Sequence, residues 1–243
     1  MGVLGYLKSS ILSKVVMAVT GAMLVSYIVI HTAGNMLIYL GPDAINSYSQ
    51  FLHSLGPLLW IVRIILIVAA ILHVWTSIVL KLSNLDAKPD KYAVKKYINA
   101  KLTSRTMLWT GIAIFLFVVY HVAHLTMGVT NPSHVSKELY FPHNLMMSSA
   151  IVNDLHFFRT DVYAMVILGF KNPLISICYM IAVTIVGFHL NHAIQSMFQT
   201  LGLNNKKYFP AIQKASTILS IVITVALVSI PITVLLGLIG GKL

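Results

Sequence analysis

Gly187-Phe-His-Leu-Asn-His-Ala-Ile-Gln-Ser-Met-Phe-Gln-Thr-Leu-Gly-Leu203 is the stretch on which the reading of this chain turns. It closes an apolar run that begins near Asn172, long enough to cross a bilayer as a helix, which takes about 20 residues. Yet it carries two imidazoles, His189 and His192. An ionisable side chain at membrane depth is costly and by default marks a functional site. Imidazole is also the commonest metal ligand.

The composition agrees with a membrane setting. Hydrophobic residues make up 58% of the 243 and charged residues only 9%, too few for the surface of a water-soluble domain of this size. The formal charge of +11 does not point to nucleic acid, because the lysines sit in short loops between spans. The single cysteine, Cys178, excludes a disulfide framework within the chain and reads as a small buried hydrophobe.

Working outward, five segments qualify as spans, roughly residues 12–40, 57–82, 106–130, 172–201 and 212–238. The expectation is an all-α integral membrane bundle of five transmembrane helices in a single domain, residues 1–243. Its first span is read as retained rather than cleaved as a signal peptide. None of the six acidic residues lies in a span, whereas Arg63 does. Basic residues collect before span one, between spans two and three (Lys81 to Arg105), and between spans four and five (Lys206, Lys207, Lys214). The opposite side has only Lys137, Arg159, Lys171 and Lys242, so the positive-inside rule puts the N-terminus in the cytoplasm and the C-terminus outside. The one long loop, 131–171, falls on the outer side with His134, His143 and His156, read as ordinary loop residues. The segment from Pro42 to Leu55 reads as an interfacial helix. No internal repeat is evident.

Four histidines on four spans fall into two depths. At about 1.5 Å of rise per residue, His31 and His121 lie roughly 20–24 Å above the inner edge of a core about 30 Å thick. His73 and His189, on descending spans, lie about 8 Å above that edge. Facing helices that each supply an imidazole at equal depth can hold a flat macrocycle between them. Two such planes, about 12–15 Å apart in height, suit two haems exchanging electrons. Two histidines fill both axial positions of a haem iron, which then transfers electrons and binds no gas. His124 and His192 stand three residues beyond His121 and His189, about 4.5 Å along the helix, so depth does not separate the members of each pair. The second member of each could contact propionates or a quinone.

With these residues in view, the chain resembles the dihaem cytochrome b membrane-anchor subunit of succinate dehydrogenase and fumarate reductase, in its five-helix bacterial form. The resemblance covers nearly the whole chain. It rests on His31-Thr-Ala-Gly-Asn35, Ser54-Leu-Gly-Pro-Leu-Leu-Trp60 with Arg63, Leu72-His73-Val-Trp, His121-Val-Ala-His124-Leu and, most specifically, Phe188 to Asn205. It implies an outer haem b on His31 and His121 and an inner haem b on His73 and His189. In the family, the fourth-span ligand precedes a helix-closing glycine by the same interval that separates His189 from Gly202. It further implies an iron–sulfur subunit and a flavoprotein on the cytoplasmic face of the bacterial inner membrane, with higher oligomers of the complex left open. The dicarboxylate active site would lie in those partners.

This chain would pass electrons between them and a quinone, for which menaquinone and ubiquinone both stay open, as does the direction of the reaction. Gln50, His53 and Arg63 are the candidate quinone contacts, and Arg63 serves equally as a propionate partner. One departure stands out: a fumarate-reducing branch has a glutamate two residues before the fourth-span ligand, where this chain has Gly187. The rival readings are a dihaem anchor of a hydrogenase or nitrate reductase and, from another class, a transporter relaying protons through histidines. Transporters commonly show interrupted helices and repeats, and neither is seen here.

Overall fold

A computed structural model describes residues 9–87, 105–134 and 161–241. Most of the basic loop between spans two and three, along with His143, His156, Lys137 and Arg159, lies outside the described residues. Among the described residues every regular element is helical. Helix α1 is Ser10–Met36, continued by a 3-10 turn at Leu37–Leu40; α2 is Pro42–Ser54 and α3 is Pro57–Asp86. Helix α4 is Met107–His121 and widens into a π-turn at Val122–Thr126. A 3-10 turn at Pro132–His134 follows, then α5 (Val162–Lys171), α6 (Pro173–Thr200) and α7 (Phe209–Leu235).

Five of these segments are long and apolar enough to cross a membrane: Ser10–Leu40, Pro57–Asp86, Met107–Thr126, Pro173–Thr200 and Phe209–Leu235. The chain is an all-helical, multi-pass membrane protein. The outward face of α3 shows what that means for packing. Trp60, Ile64, Ile67, Ile71 and Trp75 recur at helical spacing and are all exposed. Such a stripe would be a costly apolar patch in water; against lipid tails it is an ordinary surface. Cys178 belongs to this outward surface too. It is exposed rather than buried, because its apolar surroundings are lipid and not protein.

The span boundaries fall within a few residues of those expected. Helix α3 overruns its expected end at residue 82 to Asp86, since a helix of 30 residues rises about 45 Å and outreaches the hydrocarbon. The interfacial helix is present as α2. The expected loop 131–171 needs correcting: its last stretch is α5, a buried helix too short to cross a bilayer. Ile167 and Phe170 of α5 pack with Ile38, with Ile45 of α2 and with Ile230 of α7 in an apolar core.

Side-chain chemistry sets the ends of these helices. Asp161 caps α5 by accepting the Ala164 N–H at 2.9 Å, and Asn172 caps α6 by accepting from Leu174 N–H at 3.0 Å. At the far end of α6, Gly202 takes φ +79°, a left-handed value that suits glycine. The Leu203 N–H then returns to the Phe198 carbonyl at 2.9 Å and the Gly202 N–H to that of Gln199 at 3.2 Å, closing a Schellman motif.

Asn46, only 3% exposed, ties α2 to the start of α5. It donates to the Asp161 carboxylate at 2.9 Å and accepts from the Val162 and Tyr163 N–H groups at 2.9 and 3.2 Å. Asn46→Ala leaves these buried groups unpaired, at an expected cost of about 1–3 kcal/mol. Thermal unfolding of the purified variant would show it as a lowered midpoint; an unchanged midpoint would contradict it.

The chain divides into two compact units. One takes the described residues within Met1–Val29, Trp60–Ile114 and Ile185–Thr224, and the other those within Ile30–Leu59, Phe115–Thr184 and Val225–Leu243. His73 and His189 belong to the first unit, His31 and His121 to the second.

Candidate functional site

In the first unit, α1 and α4 each present a Thr-Gly pair to an imidazole. Thr20 Oγ1 is 3.3 Å from Nδ1 of His73, and Thr110 Oγ1 is 3.0 Å from Nδ1 of His189. The glycines make room beside the rings. A Cβ on Gly21 would come within 3.3 Å of His73 Cε1, and one on Gly111 within 3.7 Å of His189 Cε1. His73 also has the Met17 backbone carbonyl as a hydrogen-bond partner.

Asn191 of α6 faces α7. Asn191 donates to Thr217 Oγ1 at 3.0 Å and accepts from Gln195 at 2.8 Å. Polar bonds between helices of this kind are common in membrane bundles, where small residues also admit close approach. Gly187 is such a residue: a Cβ there would overlap the Thr224 side chain. A glutamate at this position has no space beside α7 unless Thr224 is displaced. His192 lies one turn beyond His189, half-buried.

In the second unit His31 and His121 meet edge to face, with ring centres 5.8 Å apart and planes at 84°. Asn35 donates to the His31 backbone carbonyl at 2.8 Å. Two imidazoles on one metal, with bonds of about 2.0 Å, have ring centres about 6 Å apart. The observed spacing is also normal for an edge-to-face pair, so distance alone does not discriminate. His121 Nδ1 is buried and has no hydrogen-bond partner among the described residues. Buried polar atoms are nearly always paired, so a bound group offering an acceptor to this nitrogen would complete the pairing.

His124 differs sharply from His121. It is fully buried, its Nδ1 is 2.9 Å from the Tyr179 hydroxyl, and its Nε2 is 3.0 Å from Nδ1 of His134. Both ring nitrogens are engaged within the protein. Gly169 of α5 closes over this pair, with a Cβ position 3.3 Å from His124 Cε1. The π-turn at Val122–Thr126 holds His124, and both His121 and His124 lie against the Tyr179 ring, at 5.9 and 5.8 Å between ring centres, so it is their hydrogen bonds that tell them apart. His134, read as an ordinary loop residue, is thus joined to a buried histidine.

The quinone candidates are less tightly organised. Gln50 and His53 lie on α2, where His53 is exposed and its Nδ1 is 2.8 Å from the Ser49 carbonyl. Arg63 lies on α3 in the other unit, its guanidinium 4.9 Å from the Trp60 ring centre. A cation over an aromatic face is stabilised by the ring quadrupole, which offers a local reason for a charge at this point of the span.

Comparison of the chain with protein-family models, with curated proteins and with solved structures finds no match.

Three residues of the site were not singled out from the sequence: Thr20, Thr110 and Tyr179. The threonines did leave a signal. Thr20-Gly21 precedes His31, and Thr110-Gly111 precedes His121, by the same interval of eleven residues counted from the threonine. Tyr179 left none, because an aromatic in an apolar run is indistinguishable from packing.

Proposed function

We propose that the chain is a dihaem cytochrome b membrane anchor of a succinate:quinone or quinol:fumarate oxidoreductase in a bacterial inner membrane. In this reading its N-terminus is cytoplasmic, and an iron–sulfur subunit and a flavoprotein dock on that face. The observation that supports it is the supply of four imidazoles by four spanning helices in two separate sets. In one set, His73 and His189 each stand beside a threonine hydroxyl, 3.3 and 3.0 Å from Nδ1. In the other, His31 and His121 face each other at 5.8 Å with a buried unpaired nitrogen. Both donor sets suit haem iron, for which imidazole is a usual axial ligand.

The residues divide the work as follows. His73 and His189 hold the inner haem, and His31 and His121 the outer one. His124 stays outside the ligand set because Tyr179 and His134 occupy its nitrogens. Held by these imidazole pairs, haem would supply one-electron transfer rather than binding of oxygen or carbon monoxide. Quinone chemistry adds protons to those electrons and needs polar groups bordering an apolar pocket. Gln50, His53 and Arg63 are the proposed contacts.

Anaerobic titration of the purified chain with a short-chain menaquinol or ubiquinol tests the quinone part of this reading. Reduction of bound haem b by the quinol, reversed by the quinone, supports it. Haem that dithionite reduces but neither quinol does would contradict it.

A further inference from the structure

Threonines in membrane helices commonly bond the carbonyl one turn back, and Thr76, Thr184 and Thr224 do only that here. Thr20 and Thr110 do it and also meet an imidazole. Thr20 Oγ1 donates to the carbonyls of Val16 and Met17 at 2.8 and 3.2 Å, and Thr110 Oγ1 to those of Met107 and Thr106 at 3.1 and 3.2 Å. A hydroxyl has one hydrogen, and a carbonyl only accepts. With that hydrogen spent on the backbone, each threonine offers the ring a lone pair, so the proton belongs on Nδ1 of His73 and of His189. At His189 the opposite tautomer would put an N–H on Nε2, for which no acceptor is found among the described residues; at His73 the Met17 backbone carbonyl is a second acceptor for the ring N–H beside Thr20. An unpaired donor in an apolar setting is costly. In a neutral imidazole with its proton on Nδ1, the lone pair sits on Nε2.

We infer that Thr20 and Thr110 are matched positioning residues that orient His73 and His189 and hold each with Nε2 as a free lone pair aimed at a metal. The inference rests on the haem reading proposed above. Its strength lies in recurrence: two different helices use the same Thr-Gly pair against two different histidines. The threonine accepts from the ring, and the adjoining glycine leaves the space in which the ring stands. Groups of this kind around metal-bound histidines raise ligand basicity, and their loss costs about 10–100-fold in metal affinity.

The test uses the full chain with Thr20→Val, Thr110→Val, and the serine variants at both positions. Bound haem b, its midpoint potentials and its low-spin resonance signals are measured in each. Valine keeps the shape of threonine and removes its oxygen, which takes the threonine acceptor from His189 and leaves His73 with the Met17 carbonyl alone. Each valine variant should bind the inner haem roughly ten- to hundredfold more weakly. The potential of that haem should also rise, most in Thr110→Val, because an Nδ1–H that loses an acceptor makes imidazole a poorer donor to ferric iron. The outer haem should be unchanged, which doubles as a control for folding, and serine should restore the inner one. Valine variants that keep the inner haem at wild-type affinity and potential would overturn the inference and leave the haem reading standing. A wild-type chain with no haem would overturn that reading and the inference with it.

Discussion

His189→Ala should yield a chain that still inserts but carries one haem b in place of two. The imidazole stands on α6 against Thr110 of α4, and no other side chain among the described residues bonds that threonine's hydroxyl oxygen. In the proposed haem reading, removing the ring would delete one axial ligand of the inner pair and leave His73 as a single donor. His192 does not replace it without rebuilding α6, since three residues displace a side chain by about 4.5 Å along the helix and turn it about the axis. The helix itself should survive. Its closure at Gly202, its cap at Asn172 and the Asn191–Thr217 bond to α7 do not involve His189. Pyridine-haemochrome quantification against protein should read half the wild-type value. Retention of both haems would transfer the ligand role to His192.

The neighbouring pair on α4 should split in the opposite sense. His121→Ala is expected to remove the outer haem, leaving His31 without its partner. His124→Ala is expected to keep both haems and to cost stability instead. It would strip the Tyr179 hydroxyl and His134 of their shared partner and open a cavity in a fully buried place. Leaving buried polar groups unpaired costs about 1–3 kcal/mol for each group, before any cavity term. Haem content and thermal unfolding measured side by side separate the two. Loss of the outer haem in His124→Ala with full occupancy in His121→Ala would invert the assignment.

Much of the fold was readable because lipid imposes a simple rule: spans must be long, apolar and helical. That is why the spans near 57–82 and 172–201 came within a few residues of α3 and α6. Helix α5 was missed for the converse reason. Ten apolar residues at the end of a long loop are too few to span, and only contact with Ile45 and Ile230 reveals what they cover. Depth along a helix sorted His31 with His121 and His73 with His189, because rise per residue is fixed. Depth could not part His121 from His124. That distinction comes from Tyr179 and His134, which bond both nitrogens of His124, and neither contact has a signature in the sequence around Val122. Nor could spacing show that Thr20 and Thr110 meet imidazoles, since a threonine in a span more often bonds only its own helix.

The measurement that tests the central claim most directly is a dithionite-reduced minus oxidised spectrum of the purified full chain, with haem quantified as the pyridine haemochrome and carbon monoxide added at the end. The expected result is two haems b per chain, both low-spin and both unmoved by carbon monoxide, as four histidines in two bis-imidazole sets require. A chain that holds no haem, or whose haem takes up carbon monoxide, would contradict it.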